Sequence, residues 1–267
     1  MALLASPIVV DLWWLDLAAA PPTADCRLDV LDAAERARLA GYRDAAAGRR
    51  FALARIALRV LLAARDGAPD ASPADVALAA EAHGRPIRGH GLGGPSVDRE
   101  SFNVSHAGTH AVIAFCRTHA VGVDVEHARA PSAEDRRTLW PTTCSAAERA
   151  LLGAMAPDDA DRAFARLWTR KEALAKAAGT GLRIPFTGID LATAIDRVDG
   201  RVQLRWPAAP GGCAALWQAV RVPGADDAAA AVAVVLGAGD EEGAPPGICI
   251  EERAFDPRRW HEVRSAT

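Results

Sequence analysis

Four side chains could do chemistry together: Asp124, Glu126, Glu172 and Lys176. The first two lie in Val121-Gly122-Val123-Asp124-Val125-Glu126, where valines alternate with Gly, Asp and Glu. On a strand, a period of two puts both carboxylates on one face and the valines on the other. Neighbouring carboxylates repel unless a cation sits between them or water solvates the face. The pair offers only oxygen donors, so a hard ion such as Mg²⁺ suits it better than zinc. Glu172 and Lys176 lie one turn apart in a segment of good helix formers, Trp168 to Lys176, stopped by Gly179 and Gly181. Trp168 shares their face. A carboxylate and an ammonium so placed suit an anionic, metal-bearing ligand. Taken singly, each feature has a plainer reading. The acid pair is equally a solvated edge strand, and the Glu–Lys pair a surface ion pair worth about 0.2–0.5 kcal/mol.

Phe102-Asn103-Val104-Ser105-His106-Ala107-Gly108 precedes a strand over Ala111 to Cys116. Ser105 and His106 do not make a hydrolase pair, because adjacent strand residues face opposite ways and no nucleophile-elbow pattern is present. Hydrogen bonding to a phosphate fits them better; a turn with satisfied polar groups is the alternative. Arg36, Arg38, Arg43, Arg49, Arg50, Arg55 and Arg59 crowd the first half, most of them expected in water. Arg55 and Arg59 stand one turn apart on a long helix, and Arg85 sits in the rigid Gly84-Arg85-Pro86 turn. Such fixed guanidinium groups suit a nucleotide with several phosphates.

The elements that must position these residues repeat. A shift of 113 positions (123 − 10) lays Val10-Asp11 on Val123-Asp124 without a gap, and Ala33-Ala34-Glu35-Arg36-Ala37 on Ala146-Ala147-Glu148-Arg149-Ala150. It also brings Phe51-Ala52 onto Phe164-Ala165. We read a faded internal duplication. Each half opens with a strand (Ile8 to Leu17; Val121 to Glu126) and continues with a helix that has a capping box (from Asp32; from Ser145). A long amphipathic helix follows (about Gly48 to Arg65; about Asp159 to Ala178). Strands close the halves, near Val76 to Ala79 and Ala111 to Cys116 in the first. In the second they fall at Gly188 to Leu191, Arg201 to Trp206, Leu216 to Val222 and Ala229 to Leu236. Runs of strands with one or two helices across them make this an α+β fold. Residues 1–118 form an N-terminal half, 119–238 a C-terminal half with a ligand cleft between them, and 239–267 a tail of weak order. Arg88 to Glu100 reads as a surface loop. In the first half Trp13 stands where Glu126 stands in the second, so a duplicated scaffold would carry one active site.

The composition narrows the function classes. The chain has 267 residues, is half hydrophobic and carries a net charge of −3, so no global field recruits nucleic acid. Its five cysteines are scattered without CxxC spacing, which indicates neither a zinc site nor a disulfide framework and points to reduced, cytoplasmic thiols. Asp11 and Asp16 interrupt the apolar N-terminus, which lacks the basic start of a signal peptide, and no stretch suffices to span a bilayer.

Four stretches, in order, resemble the motifs of the 4′-phosphopantetheinyl transferases, in particular the large monomeric kind that activates carrier proteins. They are Gly84-Arg85-Pro86, Asn103-Val104-Ser105-His106, Gly122-Val123-Asp124-Val125-Glu126, and Trp168-x-x-Lys171-Glu172-Ala173 with Lys176 and Gly179-x-Gly181-Leu182. The resemblance implies two similar α/β halves about a pseudo-twofold, with coenzyme A and Mg²⁺ at their interface. By position it implies Asp124, Glu126 and Glu172 as metal-side acids and Lys176 as a phosphate-binding lysine. Ser105, His106, Arg55 and Arg85 would contact the nucleotide. Arg85 stands where Lys is common, and the loop from Arg88 to Glu100 looks longer than usual. Glu148 lies where some relatives carry an acid near the site, but its capping box explains it.

The implied reaction moves 4′-phosphopantetheine from coenzyme A to a serine of an acyl- or peptidyl-carrier protein, of fatty acid, polyketide or nonribosomal peptide synthesis, and releases 3′,5′-ADP. Glu172 is the candidate both for a metal contact and for deprotonating the serine. A monomer acting in the cytoplasm, with no nucleic-acid or membrane partner, is the implied setting. A Mg²⁺-dependent phosphohydrolase of a coenzyme A-like pyrophosphate and a non-catalytic coenzyme A or carrier-protein binding module are the competing readings. The intact acid set argues against the second of these.

Overall fold

The computed structural model describes residues 6–20, 26–66, 71–80, 86–88, 100–127, 133–206, 209–237, 240 and 246–258. Among the described residues, ten strands and five α-helices follow one another along the chain. The first half holds β1 (Ile8–Asp16), α1 (Ala33–Ala40), α2 (Ala45–Arg65), β2 (Leu78–Ala80), β3 (Pro86–Arg88), β4 (Ser101–Ala107) and β5 (His110–Cys116). Then come β6 (Val121–His127), α3 (Ala133–Thr143), α4 (Ala146–Ala154), α5 (Pro157–Ala177), β7 (Asp199–Trp206), β8 (Ala209–Val220), β9 (Ala228–Val235) and β10 (Ile248–Phe255).

Two four-stranded sheets carry the fold, in the orders β10-β1-β5-β4 and β6-β9-β8-β7; β2 and β3 form a small hairpin apart. Strand alternation sorts the apolar side chains into three cores. Trp13 and Leu15 of β1 and Ile113 and Phe115 of β5 pack with Leu53, Leu58 and Leu61 of α2. Ala231 and Ala233 of β9 and Trp217 of β8 pack with Phe164, Leu167 and Leu174 of α5. The intervening residues make a third core between the sheets: Val10, Leu12 and Val112 from one, Val121, Val123 and Val232 from the other. The layers therefore run α2, sheet, sheet, α5, a mixed α+β arrangement.

Both capping boxes form as expected. Asp32 Oδ1 accepts the Glu35 N–H at 2.8 Å while Glu35 Oε2 accepts the Asp32 N–H at 3.0 Å. Ser145 and Glu148 repeat the exchange. A buried cation from the following long helix then clamps each boxed glutamate: Arg59 Nε reaches Glu35 at 2.7 Å, and Lys171 Nζ reaches Glu148 at 2.5 Å. Lys171 also donates to the carbonyls of Thr143 and Phe186, so its charge is fully spent inside the protein. Removing one member of such a pair costs about 3–5 kcal/mol because the other is left charged and dry.

Several expectations change. Residues 188–191 form no strand; a 3₁₀ turn at Phe186–Gly188 precedes an extended stretch that delivers the Leu191 N–H to Glu148 Oε1. The Asn103 segment, expected before a strand, is itself strand β4. Helix α3, which the sequence reading did not place, lies between β6 and α4, with Pro141 inside its last turn. The weakly ordered tail instead contains β10, which pairs parallel to β1 in register from Ile8–Ile248 to Leu15–Phe255. Its local pattern, Ile-Cys-Ile-Glu-Glu-Arg-Ala-Phe, is too charged to read as a strand alone. Arg253 over Trp13 and Glu252 accepting from the Trp14 indole hold it. No disulfide joins the five cysteines, and among the described residues no helix is long and apolar enough to cross a membrane.

Candidate active site

The site lies where β6, the edge of the second sheet, meets β4, the edge of the first, under α5. Three β4 side chains at alternating positions reach across. Ser101 Oγ accepts the Val121 N–H at 3.1 Å, Asn103 Oδ1 accepts the Val123 N–H at 3.1 Å, and Ser105 Oγ donates to Asp124 Oδ1 at 2.8 Å. On the other side of β6, Gly122 lets α5 lie directly on the strand. A Cβ there would fall inside the backbone of Ala173 and Ala177. That close approach brings the Glu172–Lys176 face of α5 down onto the Asp124–Glu126 face of β6.

Lys176 Nζ donates to Asp124 Oδ1 at 2.6 Å, Ser105 Oγ at 3.3 Å and the Val123 carbonyl at 3.2 Å. Asp124 is only 4 % exposed, and its second oxygen, Oδ2, is buried without a hydrogen-bond partner among the described residues. The other two acids feel this crowding. Burial, followed by the Asp124 charge, pushes the Glu126 carboxyl up to about 7; Lys176 and a hydrogen bond from Trp168 oppose the rise, while Glu172 adds to it. Glu172 is likewise raised, by burial first and then by Asp124, against the pull of Lys176. Trp168 is held in an aromatic column, 6.1 Å from Phe164 and 5.8 Å from Phe186 between ring centres.

His106 faces away from Ser105, toward the first half's helices. Its ring reaches solvent, yet surrounding protein lowers its pKa, and the charges of Arg50, Lys176 and Arg38 lower it further. These cations make a positive flank beside the acids. Sequence reading counted Arg38 and Arg50 only among many arginines; no local signal separates them from the rest.

The expected residues thus divide. Asp124, Glu126, Glu172, Lys176, Ser105 and His106 share one neighbourhood. Arg55 pairs with Glu35 at 3.2 Å, packs over Phe51, and is part of the α1–α2 clamp. Arg59, its neighbour one turn on, is 1 % exposed and is taken by Glu35, Asp32 and the Val76 carbonyl, so it offers nothing to a ligand. Arg85 lies outside the described residues. Glu148 is 0 % exposed and structural, as its capping box implied.

The donor chemistry fits a hard divalent cation: oxygen ligands only, one of them buried and without a hydrogen-bond partner among the described residues, the others held above their ordinary range by burial first and by the Asp124 charge as well. Among the described residues no three acidic, imidazole or thiol side chains already converge as a closed ligand set. Mg²⁺ in phosphate-handling sites takes one or two carboxylates and completes its shell with water and substrate phosphate.

This architecture, with acids on an edge strand and a Glu-x-x-x-Lys helix above them, coincides with a family match. Residues 120–233, from just before β6 into β9, match the model of the 4′-phosphopantetheinyl transferase superfamily. Among individual proteins, the 4′-phosphopantetheinyl transferase HetI of Nostoc sp. (strain PCC 7120) is 32 % identical over 134 residues, 50 % of this chain and 53 % of HetI. The 4′-phosphopantetheinyl transferase Sfp of Bacillus subtilis (strain 168) is 26 % identical over 133 residues, 50 % of this chain and 53 % of Sfp. The chain spans about half the length of the curated relatives it matches. The resemblance drawn from the motifs is borne out at the level of the superfamily.

Proposed function

We propose that this chain transfers the 4′-phosphopantetheine group of coenzyme A to a serine of an acyl- or peptidyl-carrier protein, releasing 3′,5′-ADP. The observation that carries the proposal is the meeting of Asp124, Glu126, Glu172 and Lys176 at the β4–β6 seam, within the segment of superfamily match. Asp124 and Glu126, with Glu172 beside them, would hold Mg²⁺, which when bound supplies positive charge against the pyrophosphate.

The remaining work is positioning and charge balance, as in phosphoryl transfer generally. Lys176 places its ammonium where a phosphate oxygen can replace part of its contact with Asp124. His106, Arg38 and Arg50 present donors and positive charge along the route of the nucleotide's phosphates. Glu172 accepts the serine proton; a carboxyl held above its usual range is the better base near neutral pH. The bond from the β-phosphorus to the leaving 3′,5′-ADP oxygen breaks as the serine Oγ bonds to that phosphorus. We read the two sheet-and-helix units as halves related by a pseudo-twofold. Asp11, aligned with Asp124, supports this: its charge is met by Arg65 and Arg253, so the first half keeps the acid without a site.

A labelling experiment tests the proposal: incubation with fluorescent coenzyme A, Mg²⁺ and a carrier protein should attach the label to the carrier's serine. Asp124→Ala and Glu172→Ala should each slow labelling about 100-fold or more, as loss of a charge-stabilising group does. Cleavage of coenzyme A without a labelled serine would instead identify a hydrolase.

A further inference from the structure

Strands β4 and β6 come together without a backbone ladder between them. The N–H groups of Val121 and Val123 on the open edge of β6 would be left without acceptors, each at a cost of about 1–3 kcal/mol when buried. Ser101 and Asn103 supply the acceptors, and Ser105, next in the alternation, binds the Asp124 carboxylate itself. The seam is therefore a row of three side chains, and the chemistry hangs from its last two members. Asn103 is 3 % exposed, so water cannot take over its bond. Its acceptor holds the residue immediately before Asp124, whose other oxygen is the buried, unpartnered one.

We propose that Asn103 is a positioning residue for Asp124: by accepting the Val123 N–H it fixes β6 on β4 and so aims Asp124 Oδ2 at the cation. Ser101 makes the same kind of bond one step further away and serves stability alone. This inference rests on the proposed role of Asp124 as a metal-side acid.

The test uses the full chain with coenzyme A, Mn²⁺ as the probe read by electron paramagnetic resonance, and hydrogen exchange at the Val123 amide. Asn103→Ala should weaken Mn²⁺ binding about tenfold or more, the usual penalty for losing a residue that orients a metal ligand, while Val123 exchanges faster. Asn103→Asp, which keeps the acceptor oxygen, should restore most of the Val123 protection and of the affinity. Ser101→Ala should lower the melting temperature comparably yet leave Mn²⁺ binding within about twofold, since it does not touch the segment that orients the ligand. Where Asn103→Ala does not fold, Asn103→Leu fills the same volume without an acceptor and carries the same expectation. Unchanged Mn²⁺ affinity in a folded Asn103 variant whose Val123 amide exchanges faster overturns the inference, as does equal weakening by Ser101→Ala. If Asp124→Ala binds Mn²⁺ as tightly as the unaltered chain, the metal reading itself is wrong and this inference goes with it. Loss of binding in Asp124→Ala alone leaves that reading standing and removes only the role of Asn103.

Discussion

Glu126 shows what burial, and then the charge of neighbouring Asp124, does to a carboxyl group. Its carboxyl is pushed from 4.5 up to about 7, so between those values the folded, metal-free protein holds a proton that the unfolded chain has released. Stability then falls as pH rises through that window, because the native state binds more protons than the unfolded one. Glu126→Gln should flatten this part of the profile, and added Mg²⁺ should raise the unaltered protein's melting temperature most near pH 8; melting curves across the window check both. If the unaltered protein melts at the same temperature at both ends of the window, the crowding of acids is not felt. At this scale the sequence was legible where period decided the matter, as for Asp124 with Glu126 and Glu172 with Lys176. It was not legible for the arginines. Arg55 and Arg59 look like Arg38 and Arg50 along the chain, and only the position of Glu35 shows which pair is consumed internally.

The relation between β6 and α5 decides whether the acids meet. Gly122 is small because the α5 backbone occupies the space of a side chain, with Ala173 and Ala177 directly above it. Gly122→Ala should push the helix off the strand, cost about 1–3 kcal/mol or more as overpacked sites do, and lift Glu172 and Lys176 away from Asp124. Urea unfolding would read the first effect and carrier-protein labelling the second; a variant with unchanged stability and full labelling would show that α5 does not need this contact. The capping boxes at Asp32 and Ser145 were readable because each is a local exchange of two hydrogen bonds three residues apart. The cations that clamp them, Arg59 and Lys171, come from more than 20 residues further on (59 − 35 = 24; 171 − 148 = 23) and carry no local signature.

Across the whole molecule, two sheets share an inner core and each is backed by its own long helix. The chain then returns from the second sheet to the first as β10, the edge strand beside β1. Arg253 from this strand faces Asp11, which also binds Arg65, and Arg65 in turn holds Glu100 just before β4. Ending the chain at residue 245 removes β10 and should lower the melting temperature by about 5 °C or more, the shift that a loss of about 2 kcal/mol gives in a domain of this size. A melting temperature equal to that of the full chain would mean that β10 only rests on the edge. Its pairing is parallel and joins residues some 240 positions apart (248 − 8), so nothing local announces it.

The sequence by itself determined the alternation that puts Asp124 and Glu126 on one face, the helical spacing of Glu172 and Lys176, and both capped helix starts. Each of these is a short-range property, fixed by backbone period or by bonds between near neighbours. Tertiary structure alone decided that β4 side chains would close the open edge of β6, that Lys171 and Arg59 would be buried against capping glutamates, and that β10 would complete the first sheet. Those outcomes depend on which distant groups arrive at the same place. A buried N–H, charge or strand edge takes whatever partner the packing brings, and spacing along the chain does not record that choice.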